Sequence, residues 1–418
     1  MTLLRIALKS ARFRRTSLLL TVFTIAISVT LLLGVDKIRK ESKSSLLNTV
    51  SQTDLIVGAR SSPTNLLLYS VFRIGKATNN VSWETYESIA AKDEVAWTIP
   101  ISLGDSHRGF RVMGTTSDYF DFYRYGSAKP LVLDSGSRFD GVYDTVLGAD
   151  VANDLGYELG DEIIISHGLV SADFADHDDK PFTVVGILDK TGTPVDRTVH
   201  ISLAGIEAIH VDWQGGARSN VTLNAEQALQ LDLTPTSITA FMVGLENRAQ
   251  TFQVQRQIND FPDEPMSAIL PGATLAEFWR TISTIEQILF VISGFVLVVG
   301  LLGMLTTILS TLNERRREIA VLRAIGARAT HVVMLIVLET LLVVTAGCVA
   351  GVGMLYGLLA IARPIVARRT GVDLALTWLD PTQLGIMAAV ILGAMLVALV
   401  PGLIAYRRSI QDGLALKV

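Results

Sequence analysis

TSLLLTVFTIAISVTLLLGV, residues 16–35, contains no charged residue. Three further apolar runs follow late in the chain, at residues 287–313, 332–360 and 381–406, and Glu339 is the only charged residue in them. About 20 mostly apolar residues cross the hydrocarbon core of a bilayer. Four runs of this length predict an α-helical membrane protein with four transmembrane helices. A cleaved signal peptide is the alternative for the first run, but its uncharged length and the absence of a small-residue cleavage motif before Asp36 favour a retained anchor.

Charge is divided unequally along the chain. Residues 36–286 contain 20 Lys and Arg against 34 Asp and Glu, although the whole chain has a formal net charge of −4. Basic clusters lie before the first span in residues 1–15, which we expect to be amphipathic, between the second and third spans in residues 314–331, and in the tail at residues 407–418. Because short basic segments stay in the cytoplasm, we expect both termini to be cytoplasmic and residues 36–286 to be extracytoplasmic. The short loop at residues 361–380 is then also outside, despite its three arginines.

Residues 36–286 predict a large α+β domain inserted between transmembrane helices 1 and 2. Strand-like runs lie at residues 110–113, 145–147, 162–166, 182–188, 198–202 and 238–243, and short helices at residues 82–92, 149–155, 203–210 and 250–258. We expect a core at about residues 36–215 and a second lobe at about residues 216–265, separated at Gly215 and Gly216. The only cysteine, Cys348, lies in the third span. The domain must therefore be stabilised by apolar burial without disulfides.

A helical pattern leads into the second span. Leu275, Phe278, Ile282, Ile285 and Leu289 recur at spacings of three and four without an intervening proline or glycine. This spacing predicts a stalk helix over about residues 272–286 that continues into the membrane. A separate surface helix followed by a turn is the alternative.

Motifs for enzymatic chemistry are missing from the sequence. It contains no G-x-x-x-x-G-K-[ST] phosphate loop, no H-E-x-x-H, no paired C-x-x-C and no G-x-S-x-G. We therefore expect no catalytic residues and no cofactor bound by this chain. Any ATP would be bound by a partner.

The segment between spans two and three is the strongest local signal. Arginines flank an apolar stripe formed by Ile319, Leu322 and Ile325. A helix with this pattern, lying along the membrane surface, presents its arginines and its stripe to a groove on a soluble partner. A basic loop that only fixes topology is the alternative.

The spans themselves contain one carboxylate and several small residues. A charged side chain within a span costs about 2.5–3.5 kcal/mol on insertion scales, so Glu339 is a functional candidate. We expect it to pair with Arg323 or Arg328, and proton coupling is the alternative. Glycines at spacings of three and four are typical of close helix packing. The candidates are Gly300, Gly303, Gly347, Gly351, Gly353 and Gly357.

Two features of the inserted domain raise the question of a ligand. Two histidines bracket an acidic stretch, but the spacing matches no closed tetrahedral site, so we expect no metal and keep only weak candidates. These are His167, His177, Asp176 and Asp178. Core packing is the favoured interpretation of an apolar run near the first span, and a surface for lipid or an apolar partner is the alternative. The residues of this run are Leu66, Leu67, Leu68, Tyr69 and Phe72.

The segment ERRREIAVLRAIGA, residues 314–327, resembles the sequence that follows the second span in permeases of the MacB, LolC/LolE and FtsX superfamily of ABC transporters, the mechanotransmission type. Residues 146–149 with 155–161, residues 182–188 and residues 191–198 are similar to the outer core domain of that family. Pro401 and the basic tail that follows it resemble the family's C-terminal end.

This resemblance implies a non-enzymatic permease subunit in the bacterial inner membrane. It would pair with a second permease copy or homologue and with an ABC ATPase that binds ATP and Mg²⁺. Closure of the ATPases would push on the coupling segment and reshape the outer domain, which would act on a lipoprotein, a peptide or another envelope substrate or outer-membrane partner. Membrane lipid is an expected contact and nucleic acid is not. The implied coupling residues are Glu314, Arg315, Arg316, Arg317, Glu318, Arg323, Ala324, Gly326, Ala327 and Arg328.

Two other functions remain open from the sequence. One is an ATP-independent membrane receptor or scaffold with a ligand-binding outer domain. The other is an exporter that moves a small molecule through the dimer.

Overall fold

The computed structural model describes residues 15–47, 49–167, 178–214, 217–218, 223–314, 321, 326–370 and 377–414. The α-helices of these residues are α1 (Arg15–Leu47), α2 (Pro63–Ser70), α3 (Trp83–Ala90), α4 (Asp118–Phe122), α5 (Ala149–Leu155), α6 (Leu203–His210), α7 (Ala225–Ala228), α8 (Thr251–Asn259), α9 (Pro271–Glu314), α10 (Ala329–Thr370) and α11 (Pro381–Leu414). In the described part of the chain, α1, α9, α10 and α11 are long and apolar enough to cross a membrane. The parts of these helices within residues 15–41, 282–314, 329–364 and 381–414 belong to one compact unit, which we call the membrane unit. The described parts of residues 42–281 and 365–373 form a second compact unit, which we call the inserted domain.

The strands all belong to the inserted domain. They are β1 (Leu55–Ala59), β2 (Val81–Ser82), β3 (Val95–His107), β4 (Phe110–Thr115), β5 (Arg124–Tyr125), β6 (Lys129–Pro130), β7 (Leu133–Gly136), β8 (Asp144–Leu147), β9 (Glu162–Ile163), β10 (Ser166–His167), β11 (Phe182–Leu188), β12 (Thr198–Ser202), β13 (Trp213–Gln214), β14 (Ala217–Arg218), β15 (Ser237–Ile238), β16 (Ala240–Leu245) and β17 (Met266–Ile269). Helices and strands alternate, which gives the α+β domain predicted between the first and second spans.

One eleven-stranded sheet organises the inserted domain. Its strand order is β17-β1-β16-β3-β4-β12-β8-β11-β7, and β9 and β10 pair with β11 and β3 at its sides. Most pairs are antiparallel, but β12 runs parallel to β4 and β11 runs parallel to β8. The central strand β3 is 13 residues long and joins the two ends of the sheet through β16 and β4.

Apolar side chains cover both faces of this sheet. In β1, Ile56 packs into one core cluster and Val57 into another, so successive residues point to opposite faces. Helices α3 and α8 close the second cluster with Ile89 and Val254. A third cluster lies under α5 and α6. These three apolar clusters stabilise a domain that contains no cysteine.

The predicted boundary near residue 215 does not separate a second lobe. Strand β16 returns to pair with both β1 and β3, and β17 pairs with the other edge of β1. Met242, for example, lies opposite both Ile56 and Ile99. The chain after residue 223 is therefore part of the same sheet, because its strands complete hydrogen bonds that β1 and β3 would otherwise leave open.

All four long helices extend beyond the predicted spans, and the extensions of α9 and α10 bear on other predictions. Helix α9 is continuous over 44 residues, from Pro271 to Glu314, so stalk and span form one element. Helix α10 continues ten residues beyond position 360, to Thr370, and contains Pro364. The first half of the predicted loop at residues 361–380 is therefore helical, in keeping with the helix-favouring Ala and Arg residues among positions 361–370.

Candidate functional site

The predicted coupling segment is described only at Glu314, at Val321 and from Gly326 onward. Glu314 ends α9, and Gly326, Ala327 and Arg328 precede α10. Gly326 has a φ of +94°, a backbone conformation that glycine adopts without strain. The Arg328 N–H donates to Nδ1 of His331 across 3.1 Å, which satisfies a donor at the start of α10. The other predicted coupling residues lie outside the described residues: Arg315, Arg316, Arg317, Glu318, Arg323 and Ala324.

Glu339 lies on α10 beside a small cavity in the membrane unit. Hydroxyl side chains of α1 and α9 line the same cavity, among them Thr21 and Thr307. Its volume is about 30 Å³, which is room for a water molecule. Arg323 lies outside the described residues, so the predicted pairing of Glu339 with an arginine stays a prediction.

The candidate packing glycines divide into two groups. A Cβ atom on Gly347 would lie 2.7 Å from Ile25, one on Gly351 would lie 2.9 Å from the Ala26 carbonyl oxygen, and one on Gly300 would lie 3.1 Å from the Ser28 hydroxyl. These three glycines therefore let α10 and α9 approach α1. A Cβ on any of the others would meet no described atom within 4 Å, and their role in packing stays a prediction. They are Gly303, Gly353 and Gly357.

A polar cluster at the ends of α1 and α11 was not anticipated. Lys40 lies 2.9 Å from buried Asp36 and 2.5 Å from Asp380, so one ammonium group joins two carboxylates. Lys37, which is 4% exposed, donates to the Thr377 carbonyl oxygen across 2.6 Å. The i, i+4 spacing of Asp36 and Lys40 is visible in the sequence, but Asp380 is 340 residues away and is brought close only by helix packing.

The apolar run at residues 66–72 is part of the core, and its interpretation as a partner surface is wrong. Leu66, Leu67 and Tyr69 on α2 are at most 2% exposed and pack against β1, while Leu68 and Phe72 are half-buried. A Cβ on Gly58 of β1 would lie 2.7 Å from a Leu66 methyl carbon. Ser62 caps the helix by accepting the Asn65 N–H, so α2 is fixed with its apolar face inward.

A histidine cluster in the inserted domain includes one metal candidate. His167 Nδ1 lies 2.9 Å from Asp105 Oδ1, and His210 Nε2 lies 3.6 Å from the same oxygen. Burial alone would raise the pKa of Asp105, but the hydrogen bond with His167 and the nearby imidazole of His210 hold that pKa far below its usual range. Burial also disfavours charge on His210, but the Asp105 carboxylate outweighs it and raises the pKa of His210.

Of the other metal candidates, Asp178 is described and is not part of this cluster. Asp178 is exposed, and His177 and Asp176 lie outside the described residues. Sequence reasoning missed Asp105 and His210 because they are far from His167 along the chain. Only the register of β10 on β3, which sets His167 opposite Asp105, brings the first pair together.

Family models match both units of the protein. The MacB-like periplasmic core domain matches residues 18–261, and the FtsX-like permease C-terminal domain matches residues 290–412. The first match alone covers more than half of the chain. Together they include most of α1, of the inserted domain, of α9 and of α11, and all of α10.

Similar proteins include macrolide export ATP-binding/permease proteins MacB. The one from Rhodospirillum rubrum is 26% identical over 242 residues, which cover 56% of this chain and 34% of that protein. The one from Azoarcus sp. is 24% identical over 186 residues, which cover 43% of this chain and 26% of that protein. The chain thus spans about a third or less of the relatives' length.

Two crystal structures are also similar. The periplasmic region of MacB from Actinobacillus actinomycetemcomitans matches 56% of this chain and 94% of its own, with 9% identity and a TM-score of 0.34. The extracellular domain of the noncanonic ABC-type transporter YknZ from Gram-positive bacteria matches 52% and 99%, with 14% identity and a TM-score of 0.30. On the family-model matches, this chain belongs to the MacB/FtsX-type permeases of ABC transporters.

Proposed function

We propose that this chain couples ATP hydrolysis by a separate ABC ATPase subunit to a conformational change of its inserted domain. The inserted domain lies outside the cytoplasm in this proposal, and both termini lie inside. The moving domain acts on a lipoprotein, a peptide or another substrate of the bacterial envelope. A second permease copy or a homologue completes the complex.

The observation that supports this proposal most directly is the continuity of α9. A helix of 44 residues is about 66 Å long, about twice the thickness of the hydrocarbon core. Near its beginning, Leu275 is 2% exposed and packs in a core cluster of the inserted domain. Its last residue, Glu314, is the first of the coupling segment. No proline interrupts the helix, so a displacement at one end is carried to the other.

The turn before α10 connects the coupling segment to the membrane unit with a defined backbone geometry, so it can transmit such a displacement. Gly326 turns the chain with a left-handed backbone, and the Arg328–His331 hydrogen bond closes the first helical turn. Arginine side chains are suited to acidic or polar grooves because each presents several N–H donors in a fixed plane. The arginine-rich segment before this turn is therefore the proposed ATPase contact.

The membrane unit supports handling of the substrate outside the bilayer. The cavity beside Glu339 holds about 30 Å³, which is far below the volume of a peptide or a lipid chain. The hydroxyl groups of Thr21 and Thr340 donate to carbonyl oxygens of their own helices. They are thus satisfied without a passing substrate.

Co-purification with an ABC ATPase tests the proposal. We expect the full-length chain to form a stable complex in mild detergent and Arg316→Glu to dissociate it. Arg407→Glu is the matched control, because it reverses the same charge at the exposed end of α11 outside the coupling segment. Failure of the unmodified chain to retain any ATPase would contradict the proposal and favour a receptor or scaffold. Uptake of a labelled small molecule into vesicles would instead indicate an exporter.

A further inference from the structure

Three side chains from separate elements of the inserted domain converge on one point. Asp105 comes from β3, His167 from β10 and His210 from the last residue of α6. One ligand atom from each lies within 4.8 Å of the others. Asp105 is 2% exposed, so its carboxylate is held inside the domain and faces the two imidazoles.

The spacing of these atoms fits a small metal ion. Asp105 Oδ1 and His167 Nδ1 are 2.9 Å apart, the two histidine nitrogens are 3.4 Å apart, and Asp105 Oδ1 and His210 Nε2 are 3.6 Å apart. Bonds of about 2.0–2.1 Å in tetrahedral geometry require ligand atoms about 3.3–3.4 Å apart. The three observed distances bracket that value, so one ion can contact all three atoms with little rearrangement.

The surroundings of His210 orient it as a ligand. Its Nδ1 lies 2.8 Å from the Ile206 carbonyl oxygen, which can only accept a hydrogen bond. In the neutral ring Nδ1 therefore carries the proton, and the lone pair is on Nε2, the atom that faces Asp105 and His167. A second hydrogen bond of this kind is what fixes most metal-binding histidines.

Ring contacts hold His167 in place. It stacks on His210 with ring centroids 4.6 Å apart, and it meets Trp213 edge-on with centroids 4.2 Å apart. The cross-strand position opposite Asp105 fixes its backbone. Both imidazoles are therefore ordered before any ligand arrives, which lowers the entropic cost of binding.

We propose that Asp105, His167 and His210 bind one divalent transition-metal ion, with Zn²⁺ as the preferred ion. Two imidazoles and one carboxylate suit Zn²⁺ better than Mg²⁺ or Ca²⁺, which favour oxygen ligands only. Three protein ligands leave a fourth position for water or for a donor atom of a bound molecule. The ion joins β3, β10 and α6. This site is independent of the proposed coupling to an ATPase.

Zinc titration of the full-length protein tests the site. The protein carries an affinity tag without histidine, is stripped with a chelator in detergent and is titrated with zinc sulfate against a chromophoric chelator. We expect one tight equivalent per chain. Asp105→Asn and His167→Gln should each weaken it by more than the roughly 10- to 100-fold that loss of an outer-shell partner costs. Asp178→Asn is the matched control, because it removes an exposed carboxylate in the same domain and should keep the tight equivalent.

Two further measurements separate a lost ligand from a misfolded domain. The metal-free variants should each keep a cooperative unfolding transition, as the metal-free unmodified protein does. Cobalt(II) should give the intense visible bands of a tetrahedral ion in the unmodified protein and lose them in His167→Gln. Equal zinc binding by the unmodified protein and by the Asp105→Asn/His167→Gln double variant would overturn the proposal, and it would identify the cluster as a hydrogen-bonded carboxylate with two imidazoles.

Discussion

The Thr30 hydroxyl donates a hydrogen bond to the Gly351 carbonyl oxygen across 2.9 Å, and this bond joins α1 to α10 inside the membrane unit. The same hydroxyl is 2.7 Å from the Ala26 carbonyl oxygen of its own helix. The two backbones approach this closely because Gly351 has no side chain. Helix contacts through small residues are typical of membrane proteins, where apolar burial gives little drive for association.

Substitution of Gly351 should therefore destabilise the membrane unit. We expect Gly351→Ala to lower the stability by about 1–3 kcal/mol, because its Cβ would lie 2.9 Å from Val29 Cβ. Gly353→Ala, on the same helix, is the control, since a Cβ there meets no described atom within 4 Å. The apparent unfolding temperature in nanodiscs measures both. Equal temperatures for the two variants would count against the close packing of α1 and α10.

A kink in α9 should uncouple ATP hydrolysis by the ATPase from substrate handling by the inserted domain. Ile285 is 61% exposed, so its replacement removes little packing. Proline there removes a helical hydrogen bond and distorts the helix at a cost of about 3 kcal/mol. We expect Ile285→Pro to retain ATPase binding and hydrolysis but lose substrate handling, whereas Ile285→Ala keeps both. Full substrate handling by the proline variant would exclude α9 as the mechanical link.

The core position of residues 66–72 predicts a large cost for truncation. Leu67 is 0% exposed, and Leu67→Ala should destabilise the inserted domain by about 2–5 kcal/mol. Phe252 is 73% exposed on α8, so Phe252→Ala should change stability by no more than about 0.5 kcal/mol. Denaturant unfolding followed by tryptophan fluorescence compares the two. A Leu67→Ala variant as stable as the unmodified protein would restore the partner-surface interpretation.

His200 should make the inserted domain less stable in acid. Burial, followed by the charge of Arg73, lowers the pKa of His200 to about 3, below the roughly 6.5 of an unfolded histidine. Between these pH values the unfolded chain binds a proton that the folded chain does not. The free energy of unfolding should thus fall by up to about 1.36 kcal/mol for each pH unit below about 6.5.

The variant His200→Asn isolates this contribution. Its amide nitrogen takes the place of His200 Nδ1, which lies 3.1 Å from the Val146 carbonyl oxygen, so it can still donate there, but it does not titrate. Unfolding measured from pH 7 to pH 4 should therefore depend less on pH in the variant. Identical slopes would show that His200 does not carry the effect.

Local sequence patterns predicted many elements of the inserted domain. The strand-like runs predicted at residues 182–188 and 198–202 coincide with β11 and β12, and the helix predicted at residues 82–92 coincides with α3, where Ser82 accepts the Thr85 N–H. Such elements are set by residues a few positions apart. Strand β3 was missed because Pro100 and Gly104 interrupt it, and the predicted second lobe was wrong because its strands pair with β1 and β3, far away in sequence.

The candidate sites also divide into those formed by residues adjacent in sequence and those formed by residues distant in sequence. The coupling segment is recognisable because its arginines and apolar stripe are adjacent in sequence. The Asp105–His167–His210 cluster depends on strand register and on where α6 ends, and neither can be read from spacing along the chain. Likewise, Asp36, Lys40 and Asp380 each look like ordinary charges at a membrane boundary until the helices pack.

The most direct test of the central claim measures movement of the inserted domain relative to the membrane unit. Cys348 is the only cysteine, so a Cys348→Ala background accepts spin labels at Phe252→Cys on α8 and Arg407→Cys on α11, both exposed positions. The complex with the ATPase is examined without nucleotide and trapped with ATP. We predict that the distance distribution between the labels shifts on trapping and that Ile285→Pro abolishes the shift. The same distribution in both states, from a complex that hydrolyses ATP, would contradict the account.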